Sequence, residues 1–472
     1  MVFIRYKQFG KLEYAYEIES YWDKKSKTPK QRTKYLGVVV DKKRQIFEKK
    51  NEKKHPVEKQ ILDYGDTFLL NKYLKESGFV DLIDSVFGER NKVILSLVLY
   101  RIISSSAMQY AETWHDGNYI KHLYKDVNLS SQRISEYFCE FGTENLQRKY
   151  FGEYIKRFTK SKQGIIIDGT SLPNQIHIPL TRWGLNDDNI EKQVRFLLAI
   201  DKDTGSPLFF RLLSGNIVDV SALKNTIVEL QNFGVKESFL FMDAGFFSED
   251  NIKDLYHEKI DFITRLPSGR RLYKDLVKNN IDIDSLKHAV KQGKRGLCVK
   301  QVEIELYGKK TYAHIVLDPN RRGKERSKML LAFSGENNTD VETQYDFLNT
   351  GIMILVSSFS IPKEEVVSTY YMRQVAETYF SFSKDDLKII PLRAHTEETL
   401  RGFLFIQFLS LIAFSLIKKK LGKKYCVEEI VLNMRNLKCK VFDDYILVSE
   451  VNKNQKEILK HFNYMVPNKA GI

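Results

Sequence analysis

The chain has 472 residues, long enough to bury a sizeable core without disulfides or structural metals. Apolar residues make up 43% and charged residues 29%, ordinary globular usage, and only 10 Pro and 25 Gly argue against collagen-like or low-complexity stretches. The 75 Lys and Arg exceed the 60 Asp and Glu, and the net charge of +15 suits a polyanionic partner, nucleic acid or an anionic membrane surface, although a Lys-rich soluble protein carries the same balance.

Four cysteines, Cys139, Cys298, Cys426 and Cys439, lie far apart and none forms a CxxC pair. This spacing argues against a disulfide scaffold or a zinc ribbon and fits a reducing, cytoplasmic compartment. The start, MVFIRYKQFGKLEY, has no apolar run of the kind a signal peptide needs. The apolar segment from Gly402 to Ile417 contains Gln407, Ser410 and Ser415 and falls short of the ~20 residues of a membrane span, so it is expected as a buried helix.

Residues 1–55 read as a basic β-hairpin region, two strands around a turn at Thr28-Pro29, crowded by Lys24, Lys25, Lys27, Lys30, Arg32 and Lys34. The hairpin suits a solvated surface as well as a DNA-contacting arm. Residues 56–160 carry apolar residues at helical spacing over Ile61 to Val86, Lys92 to Ser106 and Gln132 to Phe141. Ser130 is placed to cap the last of these. Gln132 and Arg133 then fall in the first turn, where such side chains can read base edges or phosphates, as they also can on any polar helix surface.

At Gly164 the texture changes to buried strands and intervening helices: GIIIDGT, VRFLLAID, PLFFRLL, then SALKNTIVELQNF, SFLFMDAGF and DFITRL. The fold class is α/β, with a core over 161–266 and 346–420. Residues 267–345 read as a β-rich insertion, in which Arg321, Arg322, Lys324, Arg326 and Lys328 crowd a turn before a further strand, SKMLLAFSG. A long helix is expected from about Lys363 to Lys384, and residues 421–472 form a basic helical tail.

Three carboxylates stand out. Asp168 and Asp243 each end an apolar strand, where an acid is held rigidly at the sheet edge, although strand-end Asp residues are also common turn formers. Two such acids on neighbouring strands can share a divalent cation, since hard oxygen ligands suit Mg²⁺ and Mn²⁺. The third is Glu377. At about 100° per residue, Tyr370, Arg373, Glu377 and Lys384 fall within one helical arc of roughly 60°. A phenol, a guanidinium, a carboxylate and an ammonium then line one face, which suits a metal ligand flanked by phosphate contacts. A solvated face with a local Arg373–Glu377 pair gives the same pattern.

These residues resemble a family. The run Tyr370, Arg373, Glu377, Lys384 matches the Y-x₂-R-x₃-E-x₆-K signature of the bacterial insertion-sequence DDE transposases of the "insertion sequence four" superfamily. Asp168-Gly169-Thr170 resembles the family's first motif and Asp243-Ala244-Gly245-Phe246 its second. Leu212 to Leu223 resembles the segment between the two acids, and LRAHTEETLRGFLFIQFLSL the segment after the catalytic helix. The resemblance covers about Gly164 to Lys420 and is closest to the β-insertion subgroup.

The resemblance implies an RNase H-like (retroviral integrase) core, preceded by a mainly helical region that binds the terminal inverted repeats. It implies that Asp168, Asp243 and Glu377 are catalytic and hold two Mg²⁺ ions, with Mn²⁺ able to substitute. Tyr370, Arg373 and Lys384 would bind DNA phosphates near the cleaved end, with Gln132, Arg133, Arg321 and Arg322 as further DNA contacts. It implies cut-and-paste transposition: cleavage of double-stranded DNA at the element ends, strand transfer into a target, a homodimer in the synaptic complex, a bacterial nucleoid location and no membrane partner. Some relatives stack a Trp of the β insertion on a flipped base. Here Trp22, Trp114 and Trp183 all lie outside it, leaving Tyr273, Tyr307 or Tyr312. Two other readings share these residues: a metal-dependent nuclease that cuts without joining, and a non-catalytic DNA-binding derivative. No GxxxxGK[ST], GxGxxG or HExxH motif supports nucleotide hydrolysis, dinucleotide redox work or zinc proteolysis.

Overall fold

The computed structural model describes all residues except 1, 11, 50–57, 105, 159–164, 187–188, 217–219, 236–238, 243, 333–340, 373, 382–391, 393 and 472. The chain divides into two units, Met1–Gln60 with Val441–Tyr445, and Ile61–Lys440 with Ile446–Ile472.

The first unit is built on an antiparallel sheet of four strands in sequence order, Val2–Phe9, Leu12–Asp23, Thr28–Asp41 and Ile46–Glu48. The hairpin expected around Thr28-Pro29 turns at residues 24–27, immediately before it. Asp23 holds the turn by accepting from Lys25 N at 3.0 Å and Ser26 Oγ at 2.9 Å, and Lys27 takes the left-handed conformation at φ +46°. Pro29 therefore lies in the strand, opposite Trp22.

After the short strand Gln60–Asp63, the second unit continues with helices. The single helix expected over 61–86 is two, Gly65–Glu76 and Phe79–Phe87, because Gly78 turns the chain at φ +79°. Asn91–Ile103, Ser131–Phe141 and Glu144–Phe158 follow. The apolar segment is part of the helix Glu397–Leu421, which by length and composition could cross a membrane, yet 72% of its apolar stretch is buried inside the fold. Its buried polar oxygens find partners there, although Gln407 Nε2 has none among the described residues. Gln407 accepts from Arg101 Nε at 3.4 Å, and Ser410 donates to Ile406 O at 2.8 Å. Against Ser131–Phe141 the two backbones come very close. A Cβ added to Gly402 would stand 1.8 Å from Phe138 O, and one added to Gly142 would stand 1.9 Å from Glu398 O.

The tail expected as helical after 421 contributes three strands, Lys438–Val441, Tyr445–Val448 and Lys469–Gly471, as well as the helices Val427–Arg435 and Lys453–Phe462, and the rest of this unit is organised on a ten-stranded mixed sheet. Its order runs Ala289–Gln292, Arg295–Leu306, Lys309–Leu317, Ile352–Ser357, Asp261–Arg265, Phe239–Met242, Ile165–Pro173, Asn189–Asp201 and Arg182–Asn186, with Pro207–Ser214 also paired to Asn189–Asp201. Phe239–Met242 runs parallel to both of its neighbours, and the outer pairs are antiparallel. Where the parallel ladder runs, Ile165–Ile167 and Leu240–Met242 are apolar and buried at successive positions, so both faces are covered there. The three strands of the 267–345 region continue this sheet through Lys309–Leu317, which pairs with Ile352–Ser357. The basic run after them is a helix, Pro319–Ala332, where a turn and strand were expected. Asp318 opens it by accepting from the backbone N–H of Asn320 and Arg321.

His314, fully buried on Lys309–Leu317, lies 3.0 Å from Ser357 Oγ, and burial lowers its pKa to about 4. The unfolded chain takes up this proton near pH 6.5 and the folded chain does not. Stability is therefore expected to fall as pH drops from about 6.5 towards 4, by up to ~1.4 kcal/mol per pH unit. Urea unfolding of wild type and His314→Gln at pH 7 and pH 5 checks this: the variant should lose the part of the pH dependence that His314 contributes.

Candidate active site

Asp168 lies on Ile165–Pro173, but the strand does not end there as the sequence suggested. It continues to Pro173, paired residue for residue with Asn189–Asp201. What ends near Asp168 is the parallel ladder on its other side, where the pairing with Phe239–Met242 is recorded at Ile165 and Ile166. Asp168 is 5% exposed, and its Oδ1 accepts from Gly169 N at 2.9 Å. Asp243 follows Met242 in sequence and lies outside the described residues. The chain beyond it returns to the first acid: the Phe246 ring stands 3.8 Å from where Gly169 would carry a Cβ. Ser248 then caps the helix Glu249–His257 by accepting from Asn251 N.

Glu377 lies in the first turn of the helix Gln374–Ser381, where a carboxylate complements the helix dipole. Ala376, Tyr379 and Phe380 bury the other side of that helix, and Glu377 is exposed. Phe380 meets Phe196 edge-on, with ring centroids 6.5 Å apart. Phe196 pairs with Thr170 and Leu198 with Asp168, so register puts Phe196, Thr170 and Asp168 on one face of the sheet. The helix that carries Glu377 therefore packs on the face that carries Asp168.

Tyr379 locks this helix by donating to Gly205 O at 2.5 Å, and its hydroxyl lies 2.9 Å from Ser415 Oγ. Tyr379→Phe removes both contacts and is expected to destabilise the fold by about 1 kcal/mol. If the anchor positions Glu377, the variant also lowers the turnover of a DNA-cleavage assay while duplex affinity stays unchanged, whereas a purely structural role would leave turnover intact.

The long helix expected over 363–384 is interrupted. Its described parts are Lys363–Tyr371 and Gln374–Ser381, and Val375 N donates back to Met372 O at 3.0 Å across the break, a tighter turn than the α-helical one. Tyr370 thus belongs to a different helix from Glu377. It is 4% exposed, with its ring edge-on to Tyr371. Arg373 and Lys384 lie outside the described residues. Arg321 and Arg322 sit in the helix Pro319–Ala332, paired with Glu325 at 2.6 Å and Asp284 at 2.8 Å. Gln132 and Arg133 are exposed at the start of Ser131–Phe141, both bonded to Glu136, and Ser130 occupies the capping position without a side-chain cap.

Trp183 was set aside in the sequence because it lies outside the 267–345 region. It pairs with Lys192, which register puts on the same sheet face as Asp168, about 20 Å along the strand at ~3.3 Å per residue. It is 61% exposed, stands 5.7 Å from Lys192 Nζ, and lines a cavity of about 360 Å³ with His177, Thr181 and Arg182. Alternation along the Asn189–Asp201 strand could have placed it there.

Asp168 and Glu377 offer carboxylate oxygens, the donors hard divalent cations prefer. Among the described residues no three His, Cys, Asp or Glu side chains cluster closely enough to hold a metal ion, and Asp243 is not among them. Residues 159–413, more than half of the chain, match the family model of the transposase DDE domain. The chain belongs to that family. The matched segment of this transposase contains Asp168, Asp243 and Glu377, whereas Gln132, Arg133 and the first unit lie outside it. The chain is similar to a solved structure, the cryo-EM piggyBac transposase synaptic complex with hairpin DNA, at 13% identity and a TM-score of 0.41, over 74% of this chain and 70% of that one. No curated protein matches it.

Proposed function

We propose that this transposase cleaves DNA at the terminal inverted repeats of an insertion sequence and joins the freed ends to target DNA, using Asp168, Asp243 and Glu377 as the ligands of Mg²⁺, with Mn²⁺ as a substitute. The observation that carries the proposal is the pairing of a rigid, buried Asp168 at the edge of a parallel ladder with a Glu377 helix packed on the same face, inside the matched DDE segment. The sheet order, with parallel central strands and antiparallel outer ones, supports an RNase H-like core.

When bound, the cations activate the attacking oxygen and stabilise the leaving 3′ oxygen at phosphorus. The protein's own contribution is positional. The ladder with Asn189–Asp201 holds Asp168, and the Tyr379 anchor sets the helix of Glu377. Arg373 and Lys384 are assigned to phosphates beside the cut and complete the signature of the "insertion sequence four" superfamily. Tyr370, buried, is assigned to supporting that helix. Trp183 and Lys192 extend the same face as a track for the DNA. A homodimer brings two ends together, and the protein works in the cytoplasm at the nucleoid.

Incubating precut ends bearing a free 3′-OH with a target plasmid tests the joining half of the proposal. Covalent joint molecules in Mg²⁺ support transposition. Cutting of intact ends without joining moves the reading to a nuclease.

A further inference from the structure

The sheet of the first unit is divided chemically by its register. Paired residues share a face and successive ones alternate. One face carries Phe3, Phe9, Tyr14, Tyr16, Trp22 and Tyr35, with Arg5 and Lys7 among the rings. The opposite face carries Glu13, Glu17, Glu19 and Asp23 together with Lys30, Arg32 and Lys34, and three rings of its own, Tyr6, Tyr21 and Phe47. There Asp23 pairs with Lys30, Glu17 with Lys34 at 3.8 Å, and Glu13 with Lys42 at 2.6 Å. The aromatic face has two recorded carboxylates, both at its far edge, Glu48 opposite Val38 and Asp41 opposite Ile46.

Phe9, Tyr14, Tyr35 and Tyr16 form one run of rings, and Trp22 stands about 20 Å further along the strand from Tyr16 on the same face. Phe9 meets Tyr14 at 5.8 Å and Tyr16 meets Tyr35 at 5.4 Å between centroids. Arg5 stands 5.6 Å from the Phe3 ring and Lys7 5.6 Å from the Tyr16 ring. Phe9 and Trp22 are 60% and 62% exposed. An apolar protein partner would bury Arg5 and Lys7 without counter-charges, which is costly. A DNA duplex keeps its base faces stacked inside the helix. A single strand offers both things this face can hold, free π-faces for the rings and phosphates for the two cations.

We propose that this face binds single-stranded DNA, with unpaired bases stacked on Phe9, Trp22 and the tyrosines and phosphates held by Arg5 and Lys7. The inference rests on the reading that the chain acts on DNA. It adds a second site, on a unit outside the matched family segment, that takes strands opened during the reaction.

The test uses the full-length chain and the anisotropy of labelled (dT)₂₀, (rU)₂₀ and a mixed-sequence 20-bp duplex, for wild type, Trp22→Ala/Phe9→Ala, Trp22→Phe, and Arg5→Ala/Lys7→Ala. Both aromatic positions are exposed, so folding is retained. The aromatic double variant should bind (dT)₂₀ about 10- to 100-fold more weakly, with less than about a two-fold change on the duplex and unchanged cleavage of a duplex element end. Trp22→Phe should keep most of the affinity, and Arg5→Ala/Lys7→Ala should weaken (dT)₂₀ binding and flatten its salt dependence. Unchanged (dT)₂₀ binding by the aromatic variant overturns the proposal, as does equal loss on duplex and single strand, or self-association through this face without (dT)₂₀ binding. Tighter binding of (rU)₂₀ overturns the assignment to DNA. Wild type that binds (dT)₂₀ through these residues but cuts no element end would leave this site standing and sink the transposition reading instead.

Discussion

Glu377→Gln and Asp168→Asn are each expected to reduce cleavage of an element end by at least about a thousandfold, roughly 4 kcal/mol of transition-state stabilisation, while leaving duplex binding within about two-fold of wild type. Each substitution keeps the shape of the side chain and removes one anionic oxygen donor from the proposed cation site. Glu377 is exposed on a helix whose other face is anchored by Ala376, Tyr379 and Phe380, so neutralising it should not disturb the fold. Asp168 is buried, so its variant also needs a thermal melt to separate lost chemistry from lost structure. Cleavage rates in Mg²⁺ on a labelled duplex, with melting curves alongside, decide the matter. A variant that melts like wild type and cuts like wild type would remove that residue from the active site.

Gly402→Ala is expected to be the most damaging methyl addition in the helical part, at about 3 kcal/mol. The added Cβ would stand 1.8 Å from Phe138 O, a contact that only a backbone shift can relieve. Gly142→Ala, at 1.9 Å from Glu398 O on the same crossing, should behave alike. The two substitutions relax one interface, so their combined cost should fall short of the sum. Gly323→Ala supplies the control. Its Cβ would meet nothing within 4 Å, and within the helix Pro319–Ala332 it should stabilise by about 0.5–1 kcal/mol. Urea midpoints of the three variants check the ranking. A Gly402→Ala protein as stable as wild type would mean that the two helices do not cross at these glycines.

Apolar periodicity made the core legible in the sequence. The buried runs around Ile165–Ile167, Leu240–Met242 and Ile352–Val356 are strands of one sheet, and the Gly402 segment is a buried helix. The resemblance of segments between Gly164 and Lys420 also pointed to a DDE transposase, the family whose domain model matches 159–413. What the sequence hid was pairing. Asp168 looked like a strand end because Gly169 and Thr170 resemble turn residues, yet the ladder with Asn189–Asp201 carries the strand on to Pro173. The run from Arg321 to Lys328 looked like a turn because charge was read ahead of helix propensity, although Arg, Lys and Glu are good helix formers. The break at Met372 leaves no Pro or Gly signature, and it separates Tyr370 from the helix of Glu377. The N-terminal sheet's face bearing Phe9, Tyr14, Tyr16, Tyr35 and Trp22, with its carboxylates only at the far edge, was invisible as composition, because it emerges only when the strand register is known.

The most direct measurement is cleavage of a labelled duplex carrying the flanking element end, run with Mg²⁺, with Mg²⁺ and excess EDTA, and with the Glu377→Gln protein. The proposed site predicts cutting at the element boundary in Mg²⁺, none with EDTA, and none with the variant. Binding of that duplex without cutting in Mg²⁺ or Mn²⁺, or cutting that survives both EDTA and Glu377→Gln, would contradict a carboxylate-held metal site at Asp168, Asp243 and Glu377.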